Sequence, residues 1–182
     1  AFERSMLPFD LSTLTTPERI DKNVLRFCKS LSKDPPIFVE VMPELWCRQS
    51  CCEMNVEKLI DIIGGEKFVG YKVWYVKDKY IEAERHVIHK SAESLRDPTF
   101  NTDGEQTILF IPDHDQSCGY EGRALKVRQG LSLAGKRFAA QANATDHLIQ
   151  RMSDEESWNT MLSYEAWHAG SRMSNLIVRP AG

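Results

Sequence analysis

The chain has 182 residues and a formal net charge of −3, with 42% hydrophobic and 27% charged residues. This length suits one domain with a core of its own, and the composition is that of an ordinary globular protein. The slightly acidic balance excludes a general electrostatic attraction to nucleic acid or to anionic membranes. No apolar run reaches the roughly 18 residues that a transmembrane helix needs. We therefore expect a single domain that binds neither nucleic acid nor membrane.

The cysteines indicate a reducing environment. There are five of them, an odd number that includes one adjacent pair. Such a count with uneven spacing does not fit a disulfide framework. Reduced thiols are typical of the cytosol, so we expect a cytoplasmic protein, or one that acts in the cytosol of another cell after secretion as an effector.

Taken in chain order, the predicted elements begin with a lead-in over residues 1–15 and a helix over 16–32, with Thr16 as N-cap and Pro17 at the first helical position. A strand over 37–42 follows, and a second helix runs from about Cys51 to the Gly64-Gly65 stop. The remaining predicted elements are strands over 67–76, 81–89 and 107–111 and helices over 124–151 and 154–167.

This order predicts an α+β domain in which N-terminal helices pack on an antiparallel sheet. We divide residues 1–182 into the lead-in 1–15, a catalytic core over 16–113 and a helical C-terminal extension over 114–182.

The second helix carries the first residues that indicate chemistry, Cys51 and Cys52. A thiol at a helix N-terminus lies beside unpaired backbone N–H groups, whose partial positive charge favours the thiolate. If Val56 and Leu59 face the core, Cys52 lies one turn earlier on the same face. Helical register therefore favours Cys52 as a nucleophile, with Cys51 as its rival. The alternative is that both cysteines serve only as small buried apolar residues.

The strand over 81–89 supplies a candidate base. Alternation places Glu82, Glu84 and His86 on one face and His89 on the other. A face with two acids and a histidine is too polar for a sheet interior, so it lines a cleft or meets solvent. The sequence favours His86 over His89 as the base, and the alternative is an exposed strand histidine with acidic neighbours.

A cysteine–histidine pair usually has a third group that orients the imidazole. Asp97 follows His86 by a hairpin's length and is our prediction for this group, although an aspartate before a proline is also common in turns. Its alternatives are Glu82, Glu84 and Asp103.

Other residues complete the predicted site. Gln49, three residues before Cys52, is the candidate side-chain donor of an oxyanion hole beside the Cys52 backbone N–H. Trp46, Trp74 and Glu84 are the candidate substrate-binding residues.

A metal site is the alternative use of the same residues. Cys47, Cys51 and Cys52 with His86 or His89 are ligand types that suit zinc. Their spacing lacks the usual Cys-x-x-Cys pair, and no second Cys or His pair follows. We expect no metal and no other cofactor.

The segment Cys52–Leu59 resembles the nucleophile segment of the protein N-terminal glutamine amidohydrolases. In that family the cysteine is followed by two residues and then Asn-Val or Asn-Ile, as it is here by Asn55-Val56. His86-Val87-Ile88 resembles the family's His-Val-Val strand, and a later loop aspartate, here Asp97, completes its triad. The resemblance implies a papain-like α+β fold and cofactor-free hydrolysis of the side-chain amide of an N-terminal glutamine.

From about Phe38 to Asp113 the chain is also similar to a group of uncharacterised bacterial proteins. They share Gly-Trp-x-Ile-Trp, Glu-Ala-Glu-Phe-His, Asp-x-Thr-Pro and Leu-Phe-Leu-Pro-Asp in succession, and some carry a zinc-type C-terminal motif that is absent here. The matching segments are Gly70–Trp74, Glu82–His86, Asp97–Thr99 and Leu109–Asp113, of which Asp97-Pro98-Thr99 departs from the pattern.

Together these observations predict a papain-like cysteine hydrolase that acts on a carboxamide or peptide bond through a thioester. Glutamine deamidation ranks first, ahead of peptidase and transglutaminase activity, so the expected partner is a protein or peptide substrate that bears glutamine. The alternatives are a non-catalytic protein-interaction module on the same fold and a small zinc-stabilised binding domain.

Overall fold

The computed structural model describes residues 10–174 and the backbone of 179–180, so most of the predicted lead-in lies outside the described residues. The helices are α1 (Lys22–Leu31), α2 (Cys52–Ile63), α3 (Leu133–Thr145), α4 (Asp154–Thr160) and α5 (Tyr164–His168). The strands are β1 (Ile37–Glu40), β2 (Glu66–Val76), β3 (Tyr80–Lys90), β4 (Leu95–Arg96), β5 (Thr107–Pro112), β6 (Lys126–Gly130), β7 (Ile149–Gln150) and β8 (Arg179–Pro180).

The main sheet has six strands, and all of its ladder pairings are antiparallel. Its order is β1-β5-β2-β3, and both β4 and β6 pair with the outer edge of β3. β6 covers Tyr80–Glu84 and β4 covers His89–Lys90, so His86 lies between the two pairings. The α+β class and the antiparallel sheet are confirmed. Within the described residues no helix is long and apolar enough to cross a bilayer.

The sheet curls until its two edges meet at Asp97. The Asp97 N–H donates to the Glu40 carbonyl at 2.9 Å, and the Asp97 carbonyl accepts from the Met42 N–H at 2.8 Å. These bonds form a parallel bridge between Asp97 and Val41, directly after β1. The backbone of Asp97 is therefore held in place on the side of β3 that carries His86.

Helices cover the sheet where its side chains are apolar. Val24, Phe27 and Cys28 of α1 pack on one region of the sheet that includes Val73 and Leu109. The N-terminal part of α2 packs on the sheet, where Cys52 and Val56 contact Val69 of β2 and Val87 of β3. This packing fixes the start of α2 against the centre of β3.

The predicted start of the first helix is wrong. α1 begins at Lys22, and Asp21 caps it by accepting a hydrogen bond from the Val24 N–H at 2.9 Å. The same carboxylate accepts from the Tyr75 hydroxyl at 2.8 Å, which ties the helix start to β2. Upstream, Thr15 exchanges backbone hydrogen bonds with Tyr75, so this segment is extended and not helical.

The predicted helix over 124–151 is also wrong in its first part. Lys126–Gly130 forms β6, because the edge of β3 offers backbone N–H and C=O groups that a strand satisfies and a helix does not. Gly130 is required there, since a Cβ would lie 2.1 Å from the backbone nitrogen of Lys136 in the first turn of α3. The predicted helix over 154–167 is two short helices, with extended backbone at Met161 and Ser163 between them. The boundary at residue 113 therefore divides one sheet.

Candidate active site

Cys52 is the first residue of α2 and is partly exposed. Ser50, two residues earlier, has a φ of 60°, in the left-handed region that side chains other than glycine seldom adopt. This turn brings the chain sharply into the helix. The Cys52 N–H is among the first four of the helix, which have no intrahelical partner, and these N–H groups give the helix start a partial positive charge.

Burial distinguishes the two adjacent thiols. Cys51 is 1% exposed, and burial together with the neighbouring Cys52 raises its pKa to about 12. Burial likewise raises the pKa of Cys28 and of Cys47 to about 12. These thiols are protonated at neutral pH, so Cys52 is the better candidate nucleophile of the adjacent pair.

His86 and Asp97 form a buried pair. The His86 Nε2 lies 2.8 Å from the Asp97 Oδ2, and neither residue is more than 7% exposed. The second carboxylate oxygen of Asp97 accepts from the Thr99 N–H at 2.9 Å. Both oxygens are therefore occupied, which fixes the carboxylate and through it the tautomer of the ring.

The rival residues for these two positions have other contacts. The His89 Nε2 donates a hydrogen bond to the Gly64 carbonyl at 2.8 Å. This bond ties His89 to the C-terminal end of α2. Glu82 accepts from the Tyr80 hydroxyl at 2.7 Å, and Asp103 accepts from the Glu105 N–H at 3.1 Å. The structure brings Asp97, and not these acids, to the His86 ring.

The protonation of His86 depends on its neighbours. Burial disfavours the charged ring, but the Asp97 charge, the Asp97 hydrogen bond and the interaction with the Cys52 side chain outweigh it and raise the pKa of His86 to about 10. Because Nε2 is held by Asp97, Nδ1 is the ring nitrogen left for proton transfer with Cys52. At neutral pH the His86 ring therefore carries its second proton.

This raised pKa makes the contribution of His86 to folding stability fall as pH rises. An unfolded histidine has a pKa of about 6.5, so above that pH the folded His86 holds a proton that the unfolded His86 has lost. The His86 contribution is full below about pH 6.5 and is lost as pH rises toward the folded pKa of about 10. We expect the free energy of unfolding of Cys52→Ala, in which no thiolate offsets this proton, to decline between pH 6.5 and 8 when measured in urea, with a slope of up to about 1.4 kcal/mol per pH unit.

The measurement stops at pH 8, because above it the unfolded cysteines ionise while the buried thiols stay protonated. That difference would also lower the free energy of unfolding as pH rises. Adding His86→Gln to Cys52→Ala is expected to flatten the slope, whereas adding His147→Gln, at an exposed position, is expected to keep it. Equal slopes with and without His86 in the Cys52→Ala background would contradict a raised His86 pKa.

Asn55 connects the helix of Cys52 with the loop of Asp97. Its Oδ1 accepts from the Arg48 N–H at 2.8 Å, and its Nδ2 donates to the Arg48 carbonyl at 2.8 Å and to the Thr99 hydroxyl at 3.0 Å. The side chain is fully buried. Asn55 therefore holds the start of α2 and the loop of Asp97 relative to each other, a role that the sequence pattern did not reveal.

We expect Asn55→Ala to lower the free energy of unfolding by about 2–4 kcal/mol, because it leaves buried groups of Arg48 and Thr99 without their partner. Chemical denaturation measures this loss. The matched control is Asn23→Ala, which removes a long, exposed contact to Asp78 and should cost less than about 0.5 kcal/mol. A loss no larger than that of the control would show that the network contributes little.

Two cavities flank Cys52. The helix-side cavity, of about 550 Å³, lies between the start of α2 and α4 and is lined by residues that include Met54, Ser157 and Met161. The sheet-side cavity, of about 400 Å³, lies over β2 and β3 and contains His86. Ser50, Cys52, Tyr120 and Arg151 line both. The candidate nucleophile is therefore reachable from two sides.

The predicted substrate-binding residues separate into two groups. Trp74 and Glu84 line the sheet-side cavity together with His86. Trp46 lies outside the lining of either cavity, with the Lys58 Nζ 4.6 Å from its ring centre. Gln49 is likewise outside both linings, and its amide nitrogen donates to the Met173 carbonyl at 3.1 Å. The roles of Trp46 and Gln49 stay predictions without support from the cavity geometry.

Tyr120 and Arg151 are site residues that the sequence did not indicate. Tyr120 packs against the cluster that contains Cys52, and Arg151 donates to its hydroxyl at 3.4 Å. Burial, followed by the charge of Cys52, raises the pKa of Tyr120 to about 12. The Tyr120 loop is held by buried Arg85, which donates to the Tyr120 carbonyl at 3.0 Å and pairs with Asp113 at 2.8 Å. No motif marks this contact between β3 and a distant loop.

The cysteine and histidine side chains of the alternative zinc site do not come together. Among the residues that the structure describes, no group of three or more His, Cys, Asp or Glu side chains is placed to hold a metal ion. Cys47 accepts a hydrogen bond from the Glu44 N–H, and His86 and His89 are engaged by Asp97 and Gly64.

No protein-family model, curated protein or solved structure matches the chain, so a function has to be inferred from the geometry around Cys52.

Proposed function

We propose that the protein is a papain-like cysteine hydrolase that cleaves a carboxamide or peptide bond through a thioester intermediate. The observation that carries the proposal is one chain of contacts. Cys52, at the N-terminus of α2, lines the same cavity as His86, its side chain contributes to the raised pKa of His86, and the His86 Nε2 lies 2.8 Å from the Asp97 Oδ2. This succession supports the proposal, because thiol catalysis uses a nucleophile, a base and an orienting acid in that order.

In the first half-reaction the Cys52 thiolate attacks the carbonyl carbon, and a C–S bond forms. The negative charge moves to the carbonyl oxygen, where the unpaired Cys52 N–H stabilises it. The tetrahedral adduct then collapses and the C–N bond breaks. His86 gives its Nδ1 proton to the leaving ammonia or amine, which leaves a neutral imidazole and a thioester.

In the second half-reaction the neutral His86 removes a proton from water as the water oxygen attacks the thioester carbon. Collapse of this adduct breaks the C–S bond and releases a carboxylic acid. The thiolate and the imidazolium are restored together. Asp97 stabilises the imidazolium in both halves.

Glutamine deamidation ranks first among the reactions of this type. The ranking rests on the resemblance of Cys52–Leu59 and His86–Ile88 to the N-terminal glutamine amidohydrolases. The position of α2 against β3 agrees with a papain-like arrangement, in which a helix start meets a strand that bears histidine.

The test is ammonia release from a panel of glutamine-containing peptides and proteins, with the Cys52→Ala variant run in parallel. We expect ammonia and conversion of glutamine to glutamate by mass spectrometry for the wild type alone. New peptide termini would assign a peptidase instead, and incorporation of an added amine a transglutaminase. If none of these products depends on Cys52, the hydrolase proposal fails and a non-catalytic interaction module becomes the better interpretation.

A further inference from the structure

We propose that the substrate is an extended polypeptide segment that crosses Cys52 from the helix-side cavity to the sheet-side cavity, so that the attacked residue lies inside the segment and not at its end. This inference rests on the proposed function and adds the class of substrate to it.

The first support is the position of the nucleophile between two spaces. On one side the wall is formed by α2 and α4, with Met54 and Ser157. On the other side it is formed by the sheet, with Trp74 and Glu84. Cys52 belongs to both walls. A site built for a chain terminus needs space on one side of the attacked carbonyl, whereas this site offers space on both.

The second support is size. The volumes of about 550 and 400 Å³ each fall within the range of about 300–1,000 Å³ that is usual for ligand pockets. One glutamine side chain would occupy part of one cavity and leave the other filled with water. A segment with residues on both sides of the glutamine buries surface in both cavities.

The third support is the character of the walls. Met54, Met152 and Met161 line the helix-side cavity, and flexible thioethers adapt to side chains of different shape. Between the cavities the Arg151–Tyr120 contact is long, at 3.4 Å, and Arg151 is exposed. A contact of this length is weak and is readily exchanged for hydrogen bonds to substrate carbonyls. The walls therefore suit a variable peptide chain better than one rigid small molecule.

The experiment uses three capped peptides that carry the diazoketone analogue of glutamine in alanine-rich sequences of equal length. The analogue stands at the centre, at the first residue or at the last residue. The probe alkylates a nucleophilic thiol, because the diazo carbon takes a proton and the thiolate then displaces dinitrogen to form a C–S bond. Rates are measured by intact mass and the labelled residue by peptide mapping.

We expect the central peptide to label Cys52 at least about tenfold faster than either terminal peptide, because contacts remote from the reacting atom are used in the transition state. A terminal peptide that reacts within about twofold of the central one would overturn the inference. In that case the hydrolase proposal would stand with a terminal substrate.

Variants that fill one cavity at a time make the test specific. Ser157→Trp narrows the helix-side cavity and Lys126→Trp narrows the sheet-side cavity. Each should slow the central peptide by about tenfold or more, since the segment then loses one of its two binding spaces. The matched controls are Asn159→Trp on α4 and Gln129→Trp on β6, at exposed positions outside both linings. Thermal midpoints confirm that all four variants fold.

Alkylation by iodoacetamide, which needs neither cavity, distinguishes a failure of the substrate inference from a failure of the proposed function. If it labels Cys52 much faster than the other thiols while all three peptides fail to react, the extended-substrate inference is wrong and the nucleophile stands. If Cys52 reacts no faster than the other thiols, the proposed function fails, and the substrate inference fails with it.

Discussion

Cys52→Ala is expected to abolish hydrolysis, with a fall in kcat of about 10³-fold or more, because no other partly exposed thiol lies beside His86 in the described residues. Substrate binding should be little changed, since the thiol contributes a small part of either cavity wall. The measurement is single-turnover product formation together with trapping of the thioester, which only a chain with Cys52 forms.

The matched control is Cys51→Ala. The Cys51 thiol is buried and protonated at neutral pH, so its removal should lower the free energy of unfolding by about 1–2 kcal/mol and leave kcat within about threefold of the wild type. Loss of the thioester in Cys51→Ala with its retention in Cys52→Ala would reverse the assignment of the nucleophile. Thiol mapping with iodoacetamide gives an independent check of the same assignment.

Asp97→Asn is expected to have the second-largest effect, a loss of about 10²- to 10⁴-fold in kcat. The substitution keeps the shape of the side chain but removes the charge that holds the pKa of His86 near 10. Burial is then opposed only by the interaction with Cys52, so the pKa of His86 falls and less of the ring is protonated at neutral pH.

The pH at which His86 loses its proton distinguishes this electrostatic role from a structural one. In the wild type the imidazole NMR signals of His86 should show no loss of the proton between pH 6 and 8, because Asp97 helps to raise the pKa of His86 to about 10. In Asp97→Asn the His86 signals should titrate at a lower pH. Asp61→Asn, an exposed change on α2, is the control and should keep the wild-type titration. An unchanged titration in Asp97→Asn would show that Asp97 does not set the charge of His86.

Local periodicity explains why much of the site could be predicted. The helical repeat of α2 places Cys52 on the side of Val56, and the alternation of β3 separates His86 from His89. Asp97 follows β3 after one short turn, so its distance from His86 along the chain is small. These relations extend over about one element and are therefore visible in the sequence.

The contacts that the sequence did not reveal join residues far apart in the chain. Asn55 and Thr99 meet across 44 residues, and Arg85 reaches the Tyr120 loop across 35. The segment of β6 is ambiguous by itself, because the spacing of Val127 and Leu131 fits a helix as well as a strand. The open edge of β3 decides between them, and that edge exists only after the sheet has formed.

The sequence by itself therefore determined the α+β class, the helix start that carries Cys52 and the strand face that carries His86, since each follows from a repeat within one element. Only the tertiary structure decided which thiol of the pair is exposed, which acid meets His86 and where the two cavities lie. The physical reason is that charge and burial act through distances in space. The closure of the sheet at Asp97 and the packing of α2 on β3 set those distances.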